Sequence, residues 1–185
     1  MATKRKHDVF ICFRGIDCRA EFLDYLVESL KRAGIVPFTD TKTKKGGGLW
    51  PQLETAIEES WSSIIIMSKR FATSKWCLLE LEKILEKKRT SGLPVMPIFY
   101  RLNTSHSKKQ KKKQQEKLAR AFAKHEKKEG ELKANSWKDA LAELGGLVRW
   151  VFPGHAPHTL CDHLASAVLV LNNSEPQNGV INFLC

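Results

Sequence analysis

The segment at residues 62–67 constrains the fold of this chain more than any other. It reads SSIIIM and is apolar on both faces. A strand of this kind is typical of the centre of a parallel sheet, where helices cover both faces. The rest of the chain must therefore supply amphipathic helices and further parallel strands.

Four other apolar segments predict strands, at residues 7–13, 35–38, 94–100 and 147–152. Helical patterns lie between and after them, at residues 22–34, 51–57, 74–88, 118–128, 137–144 and 160–171. Asp17 suits the N-cap of the first helix and Gly34 its end. Because strands and helices alternate, we predict an α/β domain. It is a flavodoxin-like three-layer sandwich whose five-stranded parallel sheet has the order 2-1-3-4-5, with helices on both faces.

Size and composition predict one intracellular domain. The 185 residues suit a single core, which we place at residues 1–172, with a tail at 173–185. The N-terminus is charged, and no apolar run approaches the length of a membrane span. The five cysteines lack metal-ligand spacing. We expect reduced thiols, no metal site and no membrane contact in a protein of the cytoplasm, with the nucleus as a second compartment.

The net charge of +11 is concentrated in one part of the chain. Residues 108–133 contain 11 Lys/Arg and 4 Asp/Glu, hence 7 of the 11 net positive charges. We interpret the lysine-rich part, about residues 107–117, as an insertion. Such a run is most often a solvated loop or helix end. Because it has no aromatic side chains to stack on bases, we expect only weak binding of nucleic acid.

The predicted topology also places a site. In doubly wound sheets, ligands bind at the carboxyl ends of the strands where the winding reverses, here between the first and third strands. Residues 13–17, 39–50 and 68–80 converge there. Trp76 and Glu80 are four residues apart and share one helical face. The helical period leaves Glu82, at the other border of the buried face, as an alternative, and Trp76 favours Glu80.

Each candidate residue also has a purely structural interpretation. Trp76 could anchor the core, Glu80 could favour the helix dipole, and Cys12 and Cys77 suit small buried apolar positions. Other chemistries find less support in the sequence. The chain has no Walker A or G-x-G-x-x-G pattern, and Met67 stands where a phospho-receiver domain would need an aspartate.

Taken together, residues 7–150 resemble a plant-type TIR (Toll/interleukin-1 receptor-like) domain. The matching segments are HDVFICFRGIDCR (7–19), LKRAGIVPFTD (30–40), AIEESWSSIIIMSKRFATSKWCLLELEKILE (56–86), PVMPIFY (94–100) and AFAKHE (121–126). The resemblance implies the flavodoxin-like fold and identifies residues 39–50 with the loop that the family calls the BB loop. That loop includes Lys44, Lys45, Gly46, Gly47 and Gly48.

The same resemblance implies an activity. Many TIR domains hydrolyse NAD+ at the nicotinamide–ribose bond, and the pattern assigns the catalytic role to Glu80 and substrate binding to Trp76. By position, Phe13, Arg14 and Gly15 would line the cleft. Cys77 stands where some plant members need a cysteine for a separate, nucleic-acid-dependent activity. NAD+ would be the substrate, no cofactor is implied, and activation would follow self-association or association with other TIR domains in plant innate immunity.

The chain also departs from the family pattern. Asp24-Tyr25 replaces a serine-histidine pair that supports one TIR–TIR interface, and Gly47-Gly48 replaces acidic residues in the BB loop. These departures leave a second hypothesis open, a non-catalytic TIR–TIR interaction or adaptor module. No switch domain or leucine-rich repeats follow, so we expect a TIR-only protein or a truncated immune receptor.

Overall fold

The core of the molecule is a five-stranded parallel sheet. The computed structural model describes residues 5–18, 22–40, 50–102, 108–152 and 157–173. The strands are β1 (His7–Phe13), β2 (Pro37–Thr39), β3 (Ser60–Met67), β4 (Val95–Tyr100) and β5 (Trp150–Phe152). They pair in parallel in the order β2-β1-β3-β4-β5. The predicted fold class and strand order are confirmed.

Helices cover both faces of this sheet. Within the described residues they are α1 (Gly15–Cys18), α2 (Asp24–Arg32), α3 (Trp50–Glu58), α4 (Lys75–Ser91), α5 (Lys108–Glu129), α6 (Glu131–Gly145) and α7 (Pro157–Asn173). A 3₁₀ turn, Phe71–Thr73, precedes α4. Ile64 and Ile66 of β3 belong to the core cluster that contains α2 and α7, whereas Ile65 belongs to the cluster that contains α3 and α4. This alternation explains why residues 62–67 are apolar on both faces.

The second strand begins two residues later than the sequence pattern predicts. Gly34 has a φ of 77°, and its N–H donates to Lys31 O at 3.0 Å while Ile35 N–H donates to Leu30 O at 3.0 Å. This pair of bonds is the Schellman closure of a helix. Ile35 therefore completes the end of α2 instead of starting β2.

The lysine-rich segment is the start of a long helix. The pattern predicted a helix over residues 118–128, but α5 runs from Lys108 to Glu129. Lysine and glutamine have good helix propensity, yet residues 108–114 contain no apolar stripe that periodicity could detect. The predicted tail lies outside the described residues from position 174 onward.

The cysteines of the described residues lie in the core as free thiols. Cys12, Cys18, Cys77 and Cys161 are buried and free, and Cys185 lies outside the described residues. Among the residues that the structure describes, no helix combines the length and apolarity that crossing a bilayer requires.

Candidate functional site

The carboxyl ends of β1 and β3 lie side by side and form the base of the site. The two strands pair in register up to Phe13 opposite Ile66. Beyond that point β1 leads into Arg14 and α1, and β3 leads through Ser68 into the 3₁₀ turn and α4. The two segments diverge there, and this edge is where a ligand-binding cleft is expected, since the winding of the sheet reverses at this point.

Helix α4 begins at this cleft and carries the two main candidates. Ser74 is its N-cap, with Oγ accepting from Cys77 N–H at 3.4 Å. Trp76 in the first turn is 39% exposed, whereas Glu80 one turn later is only 4% exposed. Trp76 is thus available to a ligand, and Glu80 is buried below it. The helical period predicts Glu80 at the border of the buried face, whereas the structure places it inside.

Two cysteines join the helix to the strand around Glu80. Cys77 Sγ donates to Phe13 O at 3.6 Å, and Cys12 Sγ donates to Cys77 O at 3.9 Å. Burial among these groups removes the Glu80 carboxylate from water and raises its pKa to about 8. The thiol of Cys12 opposes this shift, while the negative charge of Asp40, the residue after β2, adds to it. The same surroundings raise the pKa of the Cys77 thiol to about 12, mainly through burial.

Glu82, the alternative that the helical period left open, has a different environment. Its carboxylate accepts from Ser136 Oγ at 2.6 Å and pairs with Lys133 Nζ at 2.5 Å, both on α6. Burial alone would raise its pKa, but these hydrogen bonds outweigh burial and lower it. Glu82 therefore ties α4 to α6 and faces away from the cleft.

A polar network joins the two walls of the cleft. Asp17 accepts from Ser68 Oγ at 2.6 Å and from Arg70 Nε at 2.7 Å. From the first wall, Arg14 Nη1 donates to Arg70 O at 2.8 Å and to the hydroxyl of Thr73. The sequence pattern predicts Asp17 as the N-cap of α2. Instead it lies within α1, and its carboxylate holds the loop that follows β3.

The structure thus brings together five of the predicted site residues, Phe13, Arg14, Gly15, Cys77 and Glu80, with Trp76 at the rim. Lys44, Lys45, Gly46, Gly47 and Gly48 lie outside the described residues. Asp17 and Thr73 belong to the segments predicted to converge, residues 13–17 and 68–80, but the sequence pattern assigned neither side chain a role in the site. The contact of Cys12 with Glu80 was not predicted. Asp17 follows the first strand by four residues, and this proximity is the sequence signal for its carboxylate reaching Ser68 and Arg70. Within the described residues, no group of three or more His, Cys, Asp or Glu side chains is arranged to hold a metal ion.

Comparison with known proteins identifies the family. The TIR domain family matches residues 6–180. The chain is 42% identical over 144 residues to disease resistance protein RPV1 of Vitis rotundifolia, an alignment that covers 78% of this chain and 10% of that protein. It is 40% identical over 150 residues to TMV resistance protein N of Nicotiana glutinosa, covering 80% and 12%.

A solved structure agrees with these sequence relatives. The chain superposes on the TIR domains of the activated Roq1 resistosome with a TM-score of 0.70 and 31% identity, covering 89% of this chain and 99% of that one. The chain belongs to the TIR domain family. It spans about a tenth of the length of the disease resistance proteins it matches.

The network between the cleft walls gives a testable prediction. The Asp17 side chain is 9% exposed and accepts from two donors, whereas Arg70 is 55% exposed. Asp17→Ala leaves the buried Ser68 hydroxyl without its acceptor. We therefore expect this substitution to lower the free energy of unfolding by about 2 kcal/mol. Arg70→Ala should cost less than about 1 kcal/mol, since exposed ion pairs contribute little. Urea denaturation at pH 7 measures both values.

A matched control is available on the surface. Arg32 pairs with Asp162, and both side chains are 60% exposed, so Arg32→Ala should change stability by less than about 0.5 kcal/mol. A larger loss for Arg70→Ala than for Asp17→Ala would contradict the central place of Asp17 in the network.

Proposed function

We propose that this TIR domain is an NAD+ nucleosidase that acts in plant innate immune signalling. The relatives named above are plant disease resistance proteins, which supports the immune role. The observation that carries the catalytic proposal is the position of Glu80. A carboxylate buried at the carboxyl edge of the sheet, below an exposed tryptophan, destabilises the fold, and carboxylates with such perturbed pKa values cluster at functional sites.

The chemistry needs few groups. In NAD+ the nicotinamide ring is already cationic, so it leaves as a neutral base and requires no catalytic acid. As the C–N bond to ribose breaks, positive charge develops at the anomeric carbon. The ionised carboxylate of Glu80 would stabilise this charge, as carboxylates do in glycoside cleavage. Water then adds to the anomeric carbon and loses a proton, which yields nicotinamide, ADP-ribose and H⁺.

The residues near Glu80 would position the substrate. Trp76 offers an exposed indole face, which attracts a cationic ring by the cation–π effect. Phe13 and Gly15 form the adjoining wall, with Arg14 fixed by Arg70 O and Thr73. Cys77 packs this wall against α4 through Phe13 O. The low polarity around Glu80 strengthens its interaction with a developing cation.

Glu80→Gln, which removes the charge at nearly constant shape, tests the catalytic assignment. We expect it to lower the rate of NAD+ cleavage by about 100-fold or more. Glu82→Gln is the control on the same helix. It should retain turnover and lose about 1–2 kcal/mol of stability because it weakens the contact with Lys133 and Ser136. Release of nicotinamide, followed by chromatography, measures turnover, and urea denaturation measures stability.

Inactive Glu82→Gln together with active Glu80→Gln would contradict this assignment. No NAD+ cleavage by the unmodified protein at any concentration would favour the alternative, a non-catalytic module that associates with other TIR domains.

The raised pKa of Glu80 predicts a pH dependence. Only the ionised carboxylate can stabilise a cation, so kcat/KM should rise with pH up to about 8, the pKa of Glu80 in the free protein. In the complex, the cationic ring lowers this pKa. The midpoint of the kcat profile should therefore lie at lower pH than that of kcat/KM. Identical midpoints near pH 8 would contradict a cation placed beside Glu80.

The same shift affects stability in a defined direction. The pKa of Glu80 is higher in the native state than in the unfolded chain, so protonation of Glu80 stabilises the native state. This stabilisation is complete below about pH 4.5 and is lost as pH rises through 8. Glu80→Gln should therefore gain stability relative to the original protein between pH 5 and pH 9. Thermal denaturation across that range measures the gain without reference to activity.

Assembly would complete the site. The similar solved structure is of TIR domains in a resistosome, and the resemblance assigns residues 44–48 to the BB loop. We propose that the loop of one protomer closes the cleft of the next. An exposed Trp76 in the single protomer supports a cleft that is open on this side.

This mechanism predicts that specific activity depends on protein concentration. If two protomers form one complete cleft, turnover should rise more steeply than linearly as concentration increases, and light scattering should detect oligomers over the same range. Constant specific activity in a protein that stays monomeric would rule out completion of the cleft by a neighbour.

A further inference from the structure

Helix α5 presents a stripe of positive charge that the proposed NAD+ chemistry does not use. Its members follow the helical period, at intervals of four, three, four, three and one residues, and so lie on one face. All are exposed. We call them the basic stripe: Lys113, Lys117, Arg120, Lys124, Lys127 and Lys128. At 1.5 Å per residue, the stripe extends over about 22 Å.

The cations of the basic stripe lack acidic partners among the described residues. Elsewhere in the described chain, seven lysine and arginine side chains form ion pairs, namely Lys6, Arg32, Arg70, Lys75, Lys83, Arg89 and Lys133. Ion pairs therefore neutralise some of the basic residues elsewhere in the described chain, whereas none is found on this face.

The opposite face of α5 fixes the helix to the domain. Phe122 packs with Leu78, Ala134 and Trp137, and His125 Nε2 donates to Ala72 O at 2.9 Å. Because these contacts hold the helix, the basic stripe is a preorganised surface that points away from the protein. Phe122 and His125 are buried in the domain and therefore cannot insert into a lipid bilayer.

The lysines at the start of α5, of which Lys113 belongs to the basic stripe, are placed against the preference of the helix itself. Five of the first six residues of α5 are lysines, and its first turn contains no acidic residue. Cations near the N-terminus of a helix are unfavourable, since the macrodipole is positive there. A bound polyanion would reverse this cost.

We propose that the basic stripe binds the phosphate backbone of a double-stranded nucleic acid without reading its sequence. A duplex carries a negative charge about every 1.7 Å along its axis and is stiff, which suits a straight row of fixed cations. The stripe contains no aromatic side chain and no amide, so it offers neither stacking nor base recognition. Binding is therefore electrostatic and falls steeply with salt.

The test uses the full chain and a fluorescein-labelled 20-base-pair DNA duplex of mixed sequence. With up to six phosphates neutralised, log K should fall with log salt with a slope of about −5. Lys117→Gln/Lys124→Gln removes two contacts, so the slope should change to about −3.5. The control Lys31→Gln/Lys88→Gln, on α2 and α4, removes the same net charge and should keep the original slope. Circular dichroism verifies the fold of each variant.

Three outcomes would overturn the proposal. They are no binding at 50 mM salt, an equal change of slope in the control variant, and a preference of more than tenfold for one duplex sequence over a scrambled one. Vesicles of phosphatidylcholine and phosphatidylserine provide a competing anionic surface. Tighter binding to these vesicles than to the duplex would assign the stripe to a membrane and would also overturn the proposal.

Discussion

The parallel pairing of β1 with β3 is the contact on which the rest of the structure depends. The strands pair from His7 opposite Ser60 to Phe13 opposite Ile66. Val9 to Cys12 and Ile64 to Ile66 are wholly inaccessible to solvent, so both faces must be covered and neither strand can shift by one residue without exposing apolar side chains. This fixed register brings the ends of the two strands together. The segments that follow these two strand ends carry the candidate site residues, so the pairing of β1 with β3 places those residues next to each other.

Glu80 is costly for the fold, which makes a purely structural role a poor explanation. A glutamine or leucine at this position would fill similar volume without a buried charge, and replacing buried ionic groups by apolar ones is often neutral or stabilising. The protein reduces the cost by raising the Glu80 pKa to about 8, so the residue is largely protonated at neutral pH. Ionisation then becomes easier when a cation enters the cleft. Glu82 does not carry this cost, because Ser136 and Lys133 on α6 bind its carboxylate.

The sequence predicts the sheet well because the signal is strong and local. The apolar segments and their spacing define five parallel strands, and the rules for crossover connections leave few orders. The end of α2 is different, since the Schellman bonds of Gly34 and Ile35 compete with the start of β2. The first turns of α5 escaped detection because polar residues form a helix there without a buried stripe.

The details of the site were harder to predict for a tertiary reason. Helical periodicity limits the choice of catalytic carboxylate to Glu80 and Glu82. Only the packing of α4 between β1 and α6 determines which of the two is buried beside a thiol and which pairs with a lysine. Asp17 illustrates the same limit. Its position near a helix start suggests a cap, whereas its donors, Ser68 and Arg70, are more than 50 residues away in the chain.

The candidate site and the basic stripe share a scaffold but no side chain. The buried face of α5 supports the 3₁₀ turn through His125 and Ala72 O, and Lys75 at the start of α4 pairs with Glu129 at the end of α5 at 2.7 Å. These contacts join α5 to the segment that carries Trp76. The basic stripe, on the other face, makes none of them. A polyanion bound there would change the local electrostatic potential. By binding several copies of the protein side by side, it would also raise the local protein concentration. It would leave the geometry around Glu80 unchanged, because a packed helix resists displacement by charges on its exposed side.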